Sequence, residues 1–442
     1  MRARPGGARA GAERHQAAAG VRPRGAAREG RRALRAGREF FAVRTVAEAR
    51  AGFRPARRTA AETVDLGDAL GRVPAEPARA AHDLPGFARA TVDGYAVRAA
   101  DTFGASESLP AYLTVAGSVA MGAPAAVDVG PGAAVAIPTG GALPPSADAV
   151  VMVEHVQEPL PGSIEVMRPA APGDGVVRAD EDATAGAELV PAGRPLRAQD
   201  LGMLAAAGVT RLRVHARPRV AIVSTGDEVV PPPTPVLEPG QVRDATAVAL
   251  AALVREAGGE GDLRGIVPDD RAALEQVLHE AHGESDLVVV SAGSSVGARD
   301  ETAAAVAALG EPGIWCHGLA IRPGKPTLLA DAGGVPVIGL PGNPRSALVV
   351  FRLVGVPLVR LVGGVTEPPP DPVVRARLER DVPSAAGRLD VVQVRLREGL
   401  AEPLFGKSAL LSMLAAADGY VVVPEPATGL PGGSEIDVVL LR

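Results

Sequence analysis

The chain has 442 residues, with 46 Lys plus Arg against 51 Asp plus Glu and a formal charge of −5. The length suits two to four domains; with aromatics at 2%, Ala, Val and Leu must build the core, and 53 Gly with 41 Pro favour short elements over long coiled coils. A single cysteine, Cys316, excludes a disulfide framework and a zinc site of several thiolates, and no apolar run reaches the roughly 18–20 residues of a membrane span, so a cytoplasmic protein with no membrane partner is expected.

Residues 1–40 hold 11 Arg and three Glu, or +8, leaving −13 for the remainder. Built of Ala, Gly and Arg without hydrophobic periodicity, this stretch cannot bury enough apolar surface to offset its ordering entropy and reads as a disordered extension. Its arginines lack the interleaved aromatics of a nucleic-acid arm. The acidic body argues against a nucleic-acid partner as well.

Residues 41–85 and 178–217 are expected to form a linking α+β domain. Residues 44–80 read as helical, with Thr45 and Thr59 as N-caps and Leu66, Leu70 and Val73 as an apolar stripe. A further helix is predicted over 198–207. Between these stretches, residues 86–177 alternate in short runs separated by Gly and Pro, such as 112–115, 133–137 and 149–153, which predicts a β-rich domain. From 218 to 365 strand and helix alternate: the strand of RVAIVSTGDE, a helix over 244–257, a strand at 263–267 and a helix over 269–282. Next come the strand of DLVVVS, a helix over 300–309, and the strand of VPVIGL entering a helix at about Pro344. Continuous Val/Ile runs mark buried parallel strands, so this segment predicts a doubly wound α/β domain. Residues 366–442 alternate Val with polar residues and predict a small C-terminal β-barrel or sandwich. The fold class is therefore α/β multidomain.

Ligands in an open α/β sheet bind beyond the carboxyl ends of its strands, and three loops occupy that position here. The first is Ser224-Thr225-Gly226-Asp227-Glu228. The second runs from Ser291 through Gly293, Ser294, Ser295 and Gly297 to Asp300. The third contains Pro341, Gly342 and Asn343. Glycines let backbone N–H groups approach an anion, and hydroxyls add donors. None of the three is a P-loop or a G-x-G-x-x-G fingerprint, so no nucleotide is legible in a motif.

Acids mix with these donors. Asp227, Glu228, Asp269 and Asp300 fall near strand ends, and carboxylates beside phosphate donors make sense when Mg²⁺ bridges the two; helix N-caps are the alternative use. Arg322-Pro323-Gly324-Lys325-Pro326 sets two cations on a stiff turn suited to an anionic substrate. Lys325 is one of only two lysines in the chain, the other being Lys407, and a compact ammonium is not interchangeable with a guanidinium fork. Asp93, at a tight turn beside Tyr95, and Thr139, on a Gly-rich turn, complete the candidates. The histidines show no ligand-pair spacing, and Cys316 has no context that recommends it as a nucleophile.

Seven segments, DLPGFARATVDGYAVR, PTGGALPPSADAVVMVE, RPRVAIVSTGDE, GQVRD, SAGSSVGARD, IRPGKP and GLPGNPRSA, resemble in order the molybdopterin molybdenumtransferases, which include the C-terminal domain of gephyrin. The resemblance covers residues 45–442. It implies a central molybdopterin-binding-like α/β domain, a C-terminal β-barrel, and insertion of molybdate into adenylyl-molybdopterin with Mg²⁺, giving the molybdenum cofactor and AMP. It also implies a homodimer with the cleft between subunits, and an adenylyltransferase partner similar to the central domain. By motif position, Asp93, Asp182, Glu228, Asp269, Asp300 and Lys325 would be catalytic, with Glu228, Asp269 and Asp300 on the metal. Thr139, Ser224, Thr225, Gly226, Gly293, Ser294, Ser295, Gly297, Arg322, Pro341, Gly342, Asn343, Arg388 and Ser408 would bind substrate, with Asp93 and Thr139 contributed by the other subunit. Departures at Ala90, Val92, Thr246 and the Ala292–Gly297 loop leave a tungstate-using paralogue or a non-catalytic scaffold of the same fold as alternatives.

Overall fold

The computed structural model describes residues 43–291, 296–407 and 409–441, without the side chains of 296–300. The extension 1–40 and Gly293, Ser294, Ser295 and Ser408 therefore lie outside the described residues, as does the side chain of Asp300; Gly297 is placed by its backbone alone.

Helix α1 (Val46–Gly52) opens with a reciprocal cap: Thr45 Oγ1 accepts from the Glu48 N–H at 3.0 Å, and the Glu48 carboxylate accepts from the Thr45 N–H at 2.8 Å. The helix expected to continue towards residue 80 stops there. Strand β1 (Ala61–Asp65) follows, and Leu66–Asp68 make only a single 3₁₀ turn. Leu66, Leu70 and Val73 do repeat at helical spacing, but Leu70 is exposed and Gly67 and Gly71 interrupt the run. Thr59 caps nothing; its N–H and hydroxyl both donate to the Val362 carbonyl.

The β-rich module has strands β2 (Gly94–Val97), β3 (Ala111–Ser118), β4 (Ala133–Ile137), β5 (Ala149–Met152), β6 (Val156–Leu160) and β7 (Ser163–Val166). They form one sheet in the order β5-β2-β4-β3-β7-β6. Gly94 is required where β2 meets β5, because a Cβ there would collide with the Val151 carbonyl oxygen. Helix α2 (Ala198–Ala206) then leads to β8 (Arg211–His215), which pairs antiparallel with β1. Asp200, in the first turn of α2, takes both Arg194 and Arg197, and these two guanidinium groups hold its carboxyl well below the usual range.

The central domain contains β9 (Arg219–Thr225), α3 (Ala245–Glu256), β10 (Glu260–Val267), α4 (Arg271–Glu284), β11 (Leu287–Ser291), α5 (Val296–Ala307) and β12 (Pro312–His317). A short strand β13 (Ile321–Arg322) precedes β14 (Leu328–Ala332), β15 (Val335–Leu340), α6 (Pro344–Val350) and α7 (Val356–Val362). The sheet order is β10-β9-β11-β15-β14-β12. The first four strands are parallel; β14 runs antiparallel to both neighbours, so the doubly wound half carries an antiparallel extension. Alternate residues of the apolar strands serve two cores. Val220, Ile222, Leu287, Val289 and Ile338 pack with α3, α6 and α7, while Ala221, Val223, Val288, Val290 and Val337 pack with α4 and α5.

Strands β16 (Val373–Leu378), β17 (Leu389–Arg397), β18 (Leu400–Pro403), β19 (Gly419–Val423) and β20 (Glu435–Leu440) close on one another in the ring β17-β18-β16-β20-β19. This is a five-stranded barrel with no free edge except where β13 adds to β17, pairing Ile321 with Leu389 and Arg322 with Asp390. That pairing joins the barrel to the central domain. Among the described residues no helix is long and apolar enough to cross a membrane.

Candidate functional site

Strand register sets the site. Ser224, Ser291 and Leu340 are neighbours across β9, β11 and β15, and Thr225 pairs with Val267 at the end of β10. The loops that follow all leave the same edge of the sheet, the carboxyl edge where α/β folds bind ligands.

On the β9–β10 side the loops gather acids. Gly226 has φ +137°, and a Cβ there would lie 2.6 Å from Glu228 Oε2, so only glycine lets that carboxylate fold back over the chain. The Asp269 N–H donates to Asp227 Oδ1 at 3.2 Å. Of the two acids after β10, Asp270 caps α4 by accepting from the Ala273 N–H at 2.8 Å, which leaves the Asp269 carboxylate to face Asp227 and Glu228. Burial, then the charges of Asp227 and Glu228, raise the Asp269 pKa above the ordinary carboxylate value. Like charges held together in this way, with hard oxygen donors, suit a divalent cation such as Mg²⁺. No group of three potential ligands is already in coordinating position among the described residues. Beside Gly226 and Asp227 lies a cavity of about 550 Å³, walled by Val229, Leu263, Ile266 and Pro268, a volume suited to a small organic ligand.

Ser224, expected to bind substrate, is otherwise committed. It is buried, and its Oγ donates to Asp244 Oδ2 at 2.6 Å while Asp244 Oδ1 caps α3 at the Ala247 N–H. Thr225 is buried beside it. Pro341 is buried at the end of β15, and Gly342 and Asn343 follow it, half-buried, ahead of Pro344 at the start of α6.

On the opposite side the loops gather cations around one acid. Asp390 is buried in β17, with its side chain 4% exposed; Arg388 Nε donates to its Oδ1 at 2.8 Å, and an Arg322 nitrogen lies 3.6 Å from its Oδ2. Gly324 has φ +121° and sits where a Cβ would strike Val350, so the turn that carries Arg322 and the exposed Lys325 is pressed onto α6. Lys325 and Thr327 brace it: the Leu319 and Thr327 N–H groups both donate to the Lys325 carbonyl. Burial pushes the Cys316 thiol up to about 11, as expected of an inert core cysteine.

Three family descriptions match the chain: "MoeA N-terminal region (domain I and II)" over residues 44–208, "Probable molybdopterin binding domain" over 221–361, and "MoeA C-terminal region (domain IV)" over 375–441. The molybdopterin molybdenumtransferase of Nostoc sp. is 34% identical over 391 residues, covering 86% of this chain and 88% of the relative. The molybdopterin molybdenumtransferase of Bacillus subtilis is 33% identical, covering 86% and 90%. The chain belongs to the molybdopterin molybdenumtransferase family. The crystal structure of a molybdopterin biosynthesis MoeA protein from Pyrococcus horikosii superposes with a TM-score of 0.74 at 39% identity, covering 90% of this chain and 99% of that one.

Within this molybdenumtransferase-family chain, Asp93 and Thr139 come together in the β-rich module. Asp93 Oδ1 accepts from the Thr139 N–H at 2.7 Å and from its hydroxyl at 2.8 Å, and both residues are exposed. Asp182 is also exposed, its N–H donating to the Leu84 carbonyl. Among the described residues no hydrogen bond or ion pair joins Asp93, Thr139 or Asp182 to the central domain. Two residues of the site were not singled out from sequence: Asp244 and Asp390. Each lies inside a quoted segment or beside a chosen residue, and Asp390 had a usable signal as a lone acid in the apolar strand LDVVQV.

Proposed function

We propose that this chain inserts molybdate into adenylyl-molybdopterin, releasing AMP and the finished molybdenum cofactor. Family membership supports a transferase role in molybdenum cofactor biosynthesis. The observation that carries the finer reading is the division of charge along one sheet edge, with Asp227, Glu228 and Asp269 at one side and Arg322 and Arg388 around Asp390 at the other. A substrate with a pyrophosphate and a second, tetrahedral oxyanion needs both.

In this reading Glu228, Asp269 and Asp300 would hold Mg²⁺, which when bound offsets charge on the pyrophosphate. The guanidinium groups of Arg322 and Arg388, both oriented by Asp390, would present planar donors to molybdate, and the exposed Lys325 ammonium adds a mobile point charge. The cavity beside Gly226 would take the organic part of the substrate. Asp93 and Thr139 would complete the cleft from a second copy in a homodimer, an arrangement supported by their having no link to the central domain of their own chain among the described residues. A cytoplasmic location and an adenylyltransferase as source of the substrate belong to the same reading.

The test is direct. Purified protein given adenylyl-molybdopterin, Mg²⁺ and molybdate should release AMP in a molybdate-dependent, saturable manner, and Arg388→Ala should lose saturation. Absence of AMP release from the wild-type chain overturns the proposal, and preference for tungstate in direct competition would redefine the substrate.

A further inference from the structure

The seam between α6 and the barrel contains one buried charge to which the proposed chemistry gives no task. Arg345 is 7% exposed. A guanidinium removed from water is costly unless a carboxylate pairs with it, and among the described residues Arg345 is in no ion pair. Its acceptors are neutral: Nε donates to Gln393 Oε1 at 2.7 Å, and Nη1 donates to the Gly406 carbonyl at 2.9 Å, with the Met413 sulfur 3.9 Å away. Burial, and then the like charge of Arg322, lower its pKa below the ordinary arginine value. An apolar residue of similar volume would occupy this space without that cost. The purpose of the charge must lie in what its donors hold.

They hold three separate pieces of chain together. Arg345 itself is in the first turn of α6, two residues after Asn343. Gln393 is on β17, three residues from the Asp390 that gathers Arg322 and Arg388. Gly406 lies between β18 and Met413, and the segment packs closely there, since a Cβ at 406 would meet the Met413 sulfur. We infer that Arg345 is a positioning residue, fixing Leu404–Lys407 and β17 against the Pro341–Asn343 loop so that Arg322 and Arg388 keep their stance towards an oxyanion. With Lys325 included, four cations against the Asp390 carboxylate leave an excess of positive charge that favours a tetrahedral dianion, and Arg345 contributes to it from α6. This inference rests on the reading of the site as one that accepts molybdate.

The test combines two readouts on the full chain: hydrogen exchange of the peptide covering Leu404–Lys407, without substrate, and the molybdate dependence of AMP release. Arg345→Met should raise both the exchange rate and the half-saturating molybdate concentration about tenfold, with kcat within about twofold. Arg345→Lys, which restores the charge and one donor, should recover most of either change. Unaltered exchange and unaltered half-saturation in a folded Arg345→Met protein overturn the inference, and so does a Lys variant as defective as the Met variant. If Arg345→Met does not fold, Gln393→Leu removes one acceptor only, and wild-type exchange in that variant overturns it equally. A wild-type protein that releases no AMP refutes the functional reading alone, because the exchange measurement still decides what Arg345 holds.

Discussion

Arg388 Nε donates to Asp390 Oδ1 at 2.8 Å, from a half-exposed side chain to a buried one. Asp390 also faces Arg322 through its second oxygen, so one carboxylate orients two cations carried by different domains. Removing one partner of a fully buried pair costs about 3–5 kcal/mol. Arg322 and Arg388 reach solvent, with side chains 63% and 36% exposed, and screening reduces the expected loss to about 1–2 kcal/mol. Asp390→Asn should therefore lower stability by about that amount in chemical denaturation, and should raise the half-saturating molybdate concentration because neither guanidinium is held. A variant with wild-type values of both would show that Asp390 orients nothing.

Asp269 predicts a pH and metal response. Its folded pKa is raised, by burial first and then by Asp227 and Glu228, so the folded state binds this proton more tightly than the unfolded chain does. Stability contributed by this group therefore falls as pH rises from the ordinary carboxylate pKa through the raised one, and the ionised carboxylate is a net cost at neutral pH in a metal-free protein. Asp269→Asn should be slightly more stable than wild type in EDTA at pH 7, by about 0.5 kcal/mol or less for so exposed a position, and should lose stabilisation by added Mg²⁺. Thermal scans of both proteins with EDTA and with Mg²⁺ check this; equal Mg²⁺ stabilisation of the two removes Asp269 from the metal site.

Much of this was legible in the residues themselves. Unbroken Val/Ile runs in RVAIVS, DLVVVS and VPVIGL marked parallel strands, and the polar residues after each run marked the ligand edge. What failed did so for lack of long-range information. Leu66, Leu70 and Val73 satisfy a helical stripe, and only the pairing of β1 with β8, some 150 residues away, makes that segment a strand and turns. Arg322 and Arg388 were chosen separately as cations, whereas the acid that joins them becomes visible only when β13 pairs with β17. Ser224 looked like a loop donor because its bond to Asp244 spans a whole loop. Arg345 was not singled out at all, because its acceptors lie 48 and 61 positions further on.

The Asp93–Thr139 pair offers a spectroscopic prediction. The backbone N–H of Thr139, then its hydroxyl, hold the Asp93 carboxyl below the usual range. A depressed folded pKa means that the contribution of these bonds to stability is present above the unfolded carboxylate pKa and is lost as pH falls through the folded one. Thr139→Val removes the hydroxyl and keeps the N–H, so the Asp93 carboxyl resonance should titrate at a higher pH than in wild type yet still below an unperturbed aspartate. An unchanged midpoint would mean that the hydroxyl does not reach Asp93 in solution.

Gly324 tests whether the cation turn must sit against α6. Its φ of +121° is a conformation L-residues rarely adopt, and a Cβ there meets Val350 Cγ2, a branched side chain in the core with no freedom to rotate away. Gly324→Ala combines left-handed strain of about 1 kcal/mol with an overpacking penalty of about 1–3 kcal/mol. The turn is braced at its other end by the bond from Thr327 Oγ1 to the Gly324 carbonyl, 2.7 Å long, so the cheaper relief is to lift Arg322 and Lys325 off α6 rather than to repack Val350. The variant should fold with reduced stability and show weakened molybdate saturation. Shortening the obstacle with Val350→Ala in the same chain should restore the saturation more than it restores the stability, since that change also opens a cavity. If the double variant stays as defective in saturation as Gly324→Ala, the contact between the turn and α6 does not set the position of Arg322.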